Sequence, residues 1–215
     1  MDLYFSPLAC SLATRISLYE ADADAGFIEV DPKTKRIMHD GSDYREIYPL
    51  GMVPALRTED GALLTENAAI LQYVADRFPA ANLAPEGGIE RNRLQQWLCF
   101  IGTELHKGLF VPLFDKKAPE GTAANTLAKG ESRLAYLNDH LTGTGREFLL
   151  DRFTVADAYL YTVLNWSMAT PVKFDRFPGI QAYYTRLQKR PSIAKAFGEE
   201  VALYKAEMAR HKAAA

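Results

Sequence analysis

Apolar positions fall into two rhythms along this chain, and the change comes near residue 80. Asp2–Phe5 (DLYF) is a short apolar run that predicts a strand, with Ser6-Pro7-Leu8-Ala9 as the loop after it. From Ser11 to Glu20, Leu12, Ile16 and Tyr19 recur on one stripe, the spacing of a helix face. Phe27–Asp31 predicts a second strand. The stretch 32–43 is polar, with Lys33, Lys35 and Arg36 clustered, and Tyr44–Tyr48 predicts a short helix that stops before Pro49. Pro54–Arg57 and Ala62–Leu64 predict two strands joined by a tight turn at Glu59-Asp60-Gly61, and Glu66–Phe78 turns Ile70, Tyr73, Val74 and Phe78 inward as a helix. The order β-α-β-α-β-β-α defines an α/β domain.

Pro79–Gly88, rich in Pro, Gly, Ala and Asn, marks a linker, and beyond it only helical spacing remains. Ile89–Leu109 predicts a long helix that Pro112 kinks or closes. Gly121–Leu141 predicts another, ended by Thr142-Gly143-Thr144-Gly145. Thr154-Val155-Ala156-Asp157 has the form of a capping box. Pro178 and Pro191 open two more helices. Phe197, Val201, Tyr204 and Met208 carry helical spacing almost to the end. The expected organisation is an α/β domain over 1–80, a linker over 81–88 and an all-helical domain over 89–215.

Composition narrows the partners. Apolar residues make up 48% and charged residues 24%, with a net charge of −2, which gives no support for nucleic acid or a membrane surface. No signal peptide is visible at the start, and no apolar run approaches the length of a membrane span. The two cysteines, Cys10 and Cys99, are therefore expected to be reduced in a cytoplasmic protein.

Three places carry candidate chemistry. Pro54 suits the first position of an edge strand. A cis Val53–Pro54 bond would turn the N–H and C=O of Val53 outward to pair with an extended peptide. Thr65 is a natural N-cap, with Glu66 and Asn67 in the first helical turn, and free N–H groups there suit a carboxylate. A hairpin leading into a capped helix is the plain alternative. Cys10 stands just before the first helix, where the dipole favours a thiolate; a small buried hydrophobe in a turn is the other reading. Ser11 is either that helix's N-cap or a hydroxyl donor toward sulfur. At helical spacing Cys99, Thr103, His106 and Phe110 share a stripe beside the apolar one formed by Leu94, Leu98, Ile101, Leu105 and Leu109. That puts His106 at the margin of the core, where a cleft between domains would need it, although a lone helical histidine is more often a satisfied core residue. Lys107 either reaches a carboxylate or is solvated, and Lys35, in its basic loop, reads as a surface cation.

VPAL followed by TENAAI resembles the glutathione-binding strand–turn–helix of the glutathione transferases. A small α/β domain, a linker and an all-helical domain resemble that family over essentially the whole chain. Ala9-Cys10-Ser11-Leu12 and Glu104-Leu105-His106-Lys107 resemble its bacterial beta class. The resemblance implies a thioredoxin-like domain followed by an all-helical one, and a homodimeric cytoplasmic enzyme of detoxification. Such an enzyme conjugates glutathione to small hydrophobic electrophiles without a metal. It implies Cys10, Ser11 and His106 as catalytic residues. Lys35, Val53, Pro54, Glu66, Asn67, Thr103, Glu104 and Lys107 would contact glutathione, and Cys99 and Phe110 would line the second-substrate cleft. Two rival activities stay open: thiol transfer or reductive dehalogenation through a Cys10–glutathione disulfide, and non-catalytic ligand carriage. Relatives commonly carry Asn where this chain has Cys99. Its tail after about Gly198 is longer than usual, to cover the cleft or meet a neighbouring subunit.

Overall fold

A computed structural model describes residues 1–143 and 145–213. By contact these form two compact units, one of residues 1–83 together with the chain from Pro191 onward, the other of residues 84–190.

In the first unit, β1 (Asp2–Phe5), β2 (Gly26–Glu29), β3 (Ala55–Arg57) and β4 (Leu63–Thr65) form one sheet in the order β2-β1-β3-β4. β1 and β2 are parallel, linked through α1 (Leu12–Glu20); β3 lies antiparallel to both β1 and β4. β1 is buried on both faces, which is why its sequence runs apolar without alternation. Leu3 and Phe5 pack with Leu18 of α1, with Leu56, and with Ile70 and Val74 of α2 (Asn67–Arg77). Tyr4 faces the other way, onto Val30, Ile37, Tyr44 and Ala55. The short helix expected at Tyr44–Tyr48 is a single 3₁₀ turn, Tyr44–Glu46, capped by the Asp43 carboxylate.

One boundary corrects the sequence reading. Thr65 is not an N-cap: it pairs with Ala55 as the last residue of β4. Turning from strand to helix then falls to Glu66 alone, whose φ of 65° lies in the left-handed region that non-glycine residues seldom adopt.

The last helix, α8 (Pro191–Ala213), continues without a break through the helical spacing of the tail. It packs along α1, with Arg15 bonded to Glu199 at 3.0 Å and Tyr19 to Glu199 at 2.5 Å, and with Leu203 against the Leu3 cluster. Chain order groups this helix with the helical part, whereas its contacts hold it to the sheet unit.

The second unit holds α3 (Gly88–Phe100), a π-helical segment (Ile101–Phe110), α4 (Val111–Phe114), α5 (Thr122–Gly143), α6 (Val155–Asn165) and α7 (Pro178–Leu187). Every residue of α6 is buried, so it is the axis of this core. Its capping box is present: the Thr154 amide donates to the Asp157 carboxylate at 2.8 Å, which also accepts the Tyr183 hydroxyl at 2.8 Å. α5 ends within the expected Thr142–Gly145 stop, of which Thr144 lies outside the described residues. Pro112 does not close the long helix. It sits in the first turn of α4, where it has no N–H to give, and the turns before it are widened so that the Val111 amide bonds to His106 O, five residues back. The wider register relieves the clash a proline makes with the carbonyl four residues earlier.

Candidate active site

Three separate segments of the sheet unit meet at Cys10. The half-buried thiol Sγ donates to Val53 O at 3.3 Å. Val53 precedes Pro54 through a cis bond, as the sequence suggests. From the start of α2, Asn67 Nδ2 donates to Cys10 O at 3.1 Å, while its Oδ1 accepts the Thr14 hydroxyl of α1 at 3.2 Å. Asn67 is buried, and its side chain is spent on fastening the Cys10 turn to α2. What the start of α2 offers outward is backbone and the exposed Glu66.

Ser11 stands where the N-cap of α1 is expected, without capping it. It occupies the N-cap position with helical φ and ψ (−59°, −23°), a conformation from which its side chain makes no cap bond. The buried hydroxyl instead donates to Ser6 O at 3.3 Å, closing the loop that leads to Cys10. That loop has a second anchor which the sequence did not reveal. Leu8, with φ of 60°, gives its amide to Glu200 Oε2 of α8 at 2.7 Å. Glu200 is fully buried, and burial pushes its pKa up to about 8 against the lowering pull of the Leu8 amide and Arg15.

Lys35 also holds a left-handed conformation, φ 60°. Its amide donates to Asp31 O at 3.0 Å and its carbonyl accepts the Tyr44 amide at 2.9 Å. The side chain runs over Gly51, where a Cβ would lie 3.3 Å from Lys35 Cδ; glycine at 51, itself at φ 59°, leaves that path open.

In the helical unit, His106 is buried rather than marginal. Its Nδ1 is 2.7 Å from the Tyr159 hydroxyl and its ring stands edge-on to Trp166, 4.8 Å between centroids. Burial, and secondarily the neighbouring Lys107 cation, bring its pKa down to about 4, so the imidazole is neutral at pH 7. Within the expected stripe Cys99 and Thr103 are exposed while His106 and Phe110 are buried, and the neighbouring stripe of Leu94, Leu98, Ile101, Leu105 and Leu109 is buried throughout. Thr103 donates to Cys99 O at 3.0 Å, Glu104 is paired with Arg133 at 2.6 Å, and Lys107 is exposed. Phe110, expected in the second-substrate cleft, is fully buried edge-on to Trp166 and presents no surface to a ligand. Partly exposed Phe114, its ring 5.7 Å from Trp166, carries apolar surface there instead. Sequence reasoning missed Thr14, Tyr159, Trp166 and Glu200, each distant in the chain from the residue it serves.

Among the described residues no group of three or more His, Cys, Asp or Glu is placed to hold a metal ion, and no helix is long and apolar enough to cross a membrane. The chain matches two family models, the N-terminal domain of glutathione S-transferase over residues 9–77 and its C-terminal domain over 103–199. The chain belongs to the glutathione S-transferase family. It is 42% identical over 201 residues to glutathione S-transferase GstA of Escherichia coli O157:H7, covering 93% of this chain and 98% of that protein. A sphingomonad glutathione S-transferase solved with glutathione superposes with a TM-score of 0.87 at 39% identity, covering 93% of this chain and 98% of that one. A bacterial beta-class enzyme from Sphingomonas chungbukensis gives a TM-score of 0.87 at 38% identity, with the same coverage.

Proposed function

We propose that this protein binds reduced glutathione at the Cys10–Val53–Asn67 junction and adds its thiolate to small hydrophobic electrophiles. The convergence of these three segments carries the reading. A carboxylate finds free amides and a helix dipole at the start of α2, with exposed Glu66 at hand for the amino end of a γ-glutamyl group. The Val53 amide has no partner among the described residues and suits a peptide carbonyl. Val53 O, already accepting the Cys10 thiol, keeps a second lone pair for a peptide N–H. In this reading Pro54 sets where that edge begins, and Lys35 takes the carboxylate at the peptide's far end.

A free thiol has a pKa of roughly 8.5, so the site must favour the thiolate at neutral pH. In this reading Cys10 and the helix start supply a hydrogen-bond donor and positive potential. Ser11 acts by holding the turn. His106, neutral and fixed by Tyr159, contributes as a polar group rather than as a cation. Lys107 and Thr103 are exposed and open to ligand; Glu104 reaches one only by giving up Arg133. Phe114, backed by buried Trp166, offers apolar surface to the electrophile in place of Phe110, with exposed Cys99 on the same long helix. Exposed Leu50 (65%) and Met52 (43%) beside Val53 favour a homodimer, and two cysteines outside any disulfide favour the cytoplasm, where detoxification would be its task.

The test is calorimetric titration with glutathione, followed by conjugation of an aryl chloride. Stoichiometric binding with conjugation is expected. Absence of binding would overturn the reading, and binding without turnover would favour thiol transfer or ligand carriage over conjugation.

A further inference from the structure

We propose that the end of the C-terminal helix, through His211, holds Lys35 in the conformation that receives glutathione's glycine carboxylate. This rests on the reading of Lys35 given above. The loop 31–37 is closed by a bridge between Val30 and Ile37 and organised by one side chain, Asp31. Asp31 Oδ1 accepts the amides of Lys33 at 2.9 Å and Thr34 at 2.8 Å, and the Asp31 carbonyl accepts that of Lys35. Its other oxygen, Oδ2, belongs to the tail: His211 Nε2 lies 2.7 Å away. Burial raises the Asp31 pKa, yet the hydrogen bonds from Thr34, His211 and Lys33 outweigh it and bring the pKa to about 2. Asp31 is thus a carboxylate that can only accept, and His211 Nε2 must carry the proton it donates.

The contact is enclosed, with the His211 side chain 10% exposed and Asp31 6%. A second strut lies beside it. Arg210 bonds Glu29 at 2.7 Å, and Glu29 and Asp31 share one side of the same extended segment. Glu207, one turn back, places a carboxylate oxygen 3.8 Å from His211 Nδ1. A loop of this kind seldom holds a lysine at φ 60° unaided. Anchoring both oxygens of Asp31 fixes the carbonyl from which Lys35 hangs. The matched C-terminal domain ends at residue 199, so Arg210 and His211 lie beyond the segment the family model describes.

The experiment is steady-state kinetics of the full chain with glutathione and an aryl chloride, folding being checked by circular dichroism. His211→Leu should raise KM for glutathione roughly tenfold, about 1.4 kcal/mol of binding, with kcat and KM for the aryl chloride unchanged. His211→Gln, whose amide nitrogen falls near Nε2, should restore most of it. Lys35→Ala should also raise KM, and adding His211→Leu to it should raise KM no further. If His211→Leu fails to fold, His211→Asn, too short to reach Asp31, gives the same comparison. An unchanged KM in His211→Leu, or an equal rise in the Lys35→Ala background, would overturn the proposal while leaving the glutathione site intact. A KM unmoved by Lys35→Ala would overturn the reading of Lys35 itself, and the proposal with it.

Discussion

The thiol of Cys10 donates to the carbonyl of Val53 across 3.3 Å. Only a thiol can do so, because a thiolate has no proton and would face the carbonyl's lone pairs. In this arrangement the single S–H is given to Val53 O, and it must turn from that carbonyl to hold another sulfur's negative charge. Two anionic sulfurs at contact distance would also oppose each other. Cys10→Ser should therefore keep most of the conjugating activity, Cys10→Ala should keep less, and both should abolish exchange with mixed disulfides. Mass spectrometry of wild type treated with glutathione disulfide should show one glutathionyl group per chain, removed by a reductant. Equal loss of both activities in Cys10→Ser, with glutathione still bound, would contradict the separation of roles.

Asn67 ties α2 to the Cys10 turn through one donor and one acceptor, both buried. Asn67→Ala leaves the Cys10 carbonyl and the Thr14 hydroxyl to find other partners. A cost of about 1–3 kcal/mol in urea unfolding is expected, together with weaker glutathione binding. A variant as stable as wild type that binds normally would show the two bonds to be dispensable.

His106 should be silent in the pH–rate profile. Its folded pKa of about 4 lies below the ordinary 6.5, so between about pH 5.5 and 8 it stays neutral. The conjugation profiles of wild type and His106→Gln should have the same shape over that range, whatever their heights. The same shift makes a stability statement. A depressed pKa contributes stability that is present above 6.5 and lost as the pH falls toward 4. Acid unfolding should begin at lower pH in His106→Gln if the amide keeps the bond to Tyr159.

Glu200 should give the opposite slope. Its pKa rises from 4.5 to about 8, so its contribution is full below 4.5 and lost as the pH rises through 8. Its free oxygen and the nearest Arg15 nitrogen stand 3.6 Å apart, and neither has a hydrogen-bond partner among the described residues. Urea midpoints at about pH 5.5 and pH 8 should differ more in wild type than in Glu200→Gln, which mimics the neutral acid. Parallel curves would mean that Glu200 is ionised across the range.

Residues whose partners are near in sequence or periodic were legible. β1, α1, α2 and the Thr154–Asp157 box follow from local pattern, and Cys10, Val53 and Asn67 each stand out by motif, whereas their meeting is visible only in the fold. Thr65 was misassigned because a cap and a strand end look alike until the pairing with Ala55 fixes the register. The burial of His106 is not legible because Tyr159 and Trp166, which enclose it, lie more than fifty residues away in the chain. Tyr159, 53 residues beyond His106, and Glu200, 192 beyond Leu8, serve partners that only tertiary folding supplies.

Because α8 lies in the sheet unit, that unit is built from two stretches of chain, with residues 84–190 between them. On the ribosome its sheet can pair as soon as β4 has emerged, but Arg15 must wait for Glu199 and Glu200, which follow only after residues 84–190. Until then the loop before Cys10 lacks its acceptor at Leu8, and Asp31 lacks His211. The thiol is therefore synthesised early and framed late, and a nascent chain stalled before residue 191 carries Cys10 without the helix that orders its approach.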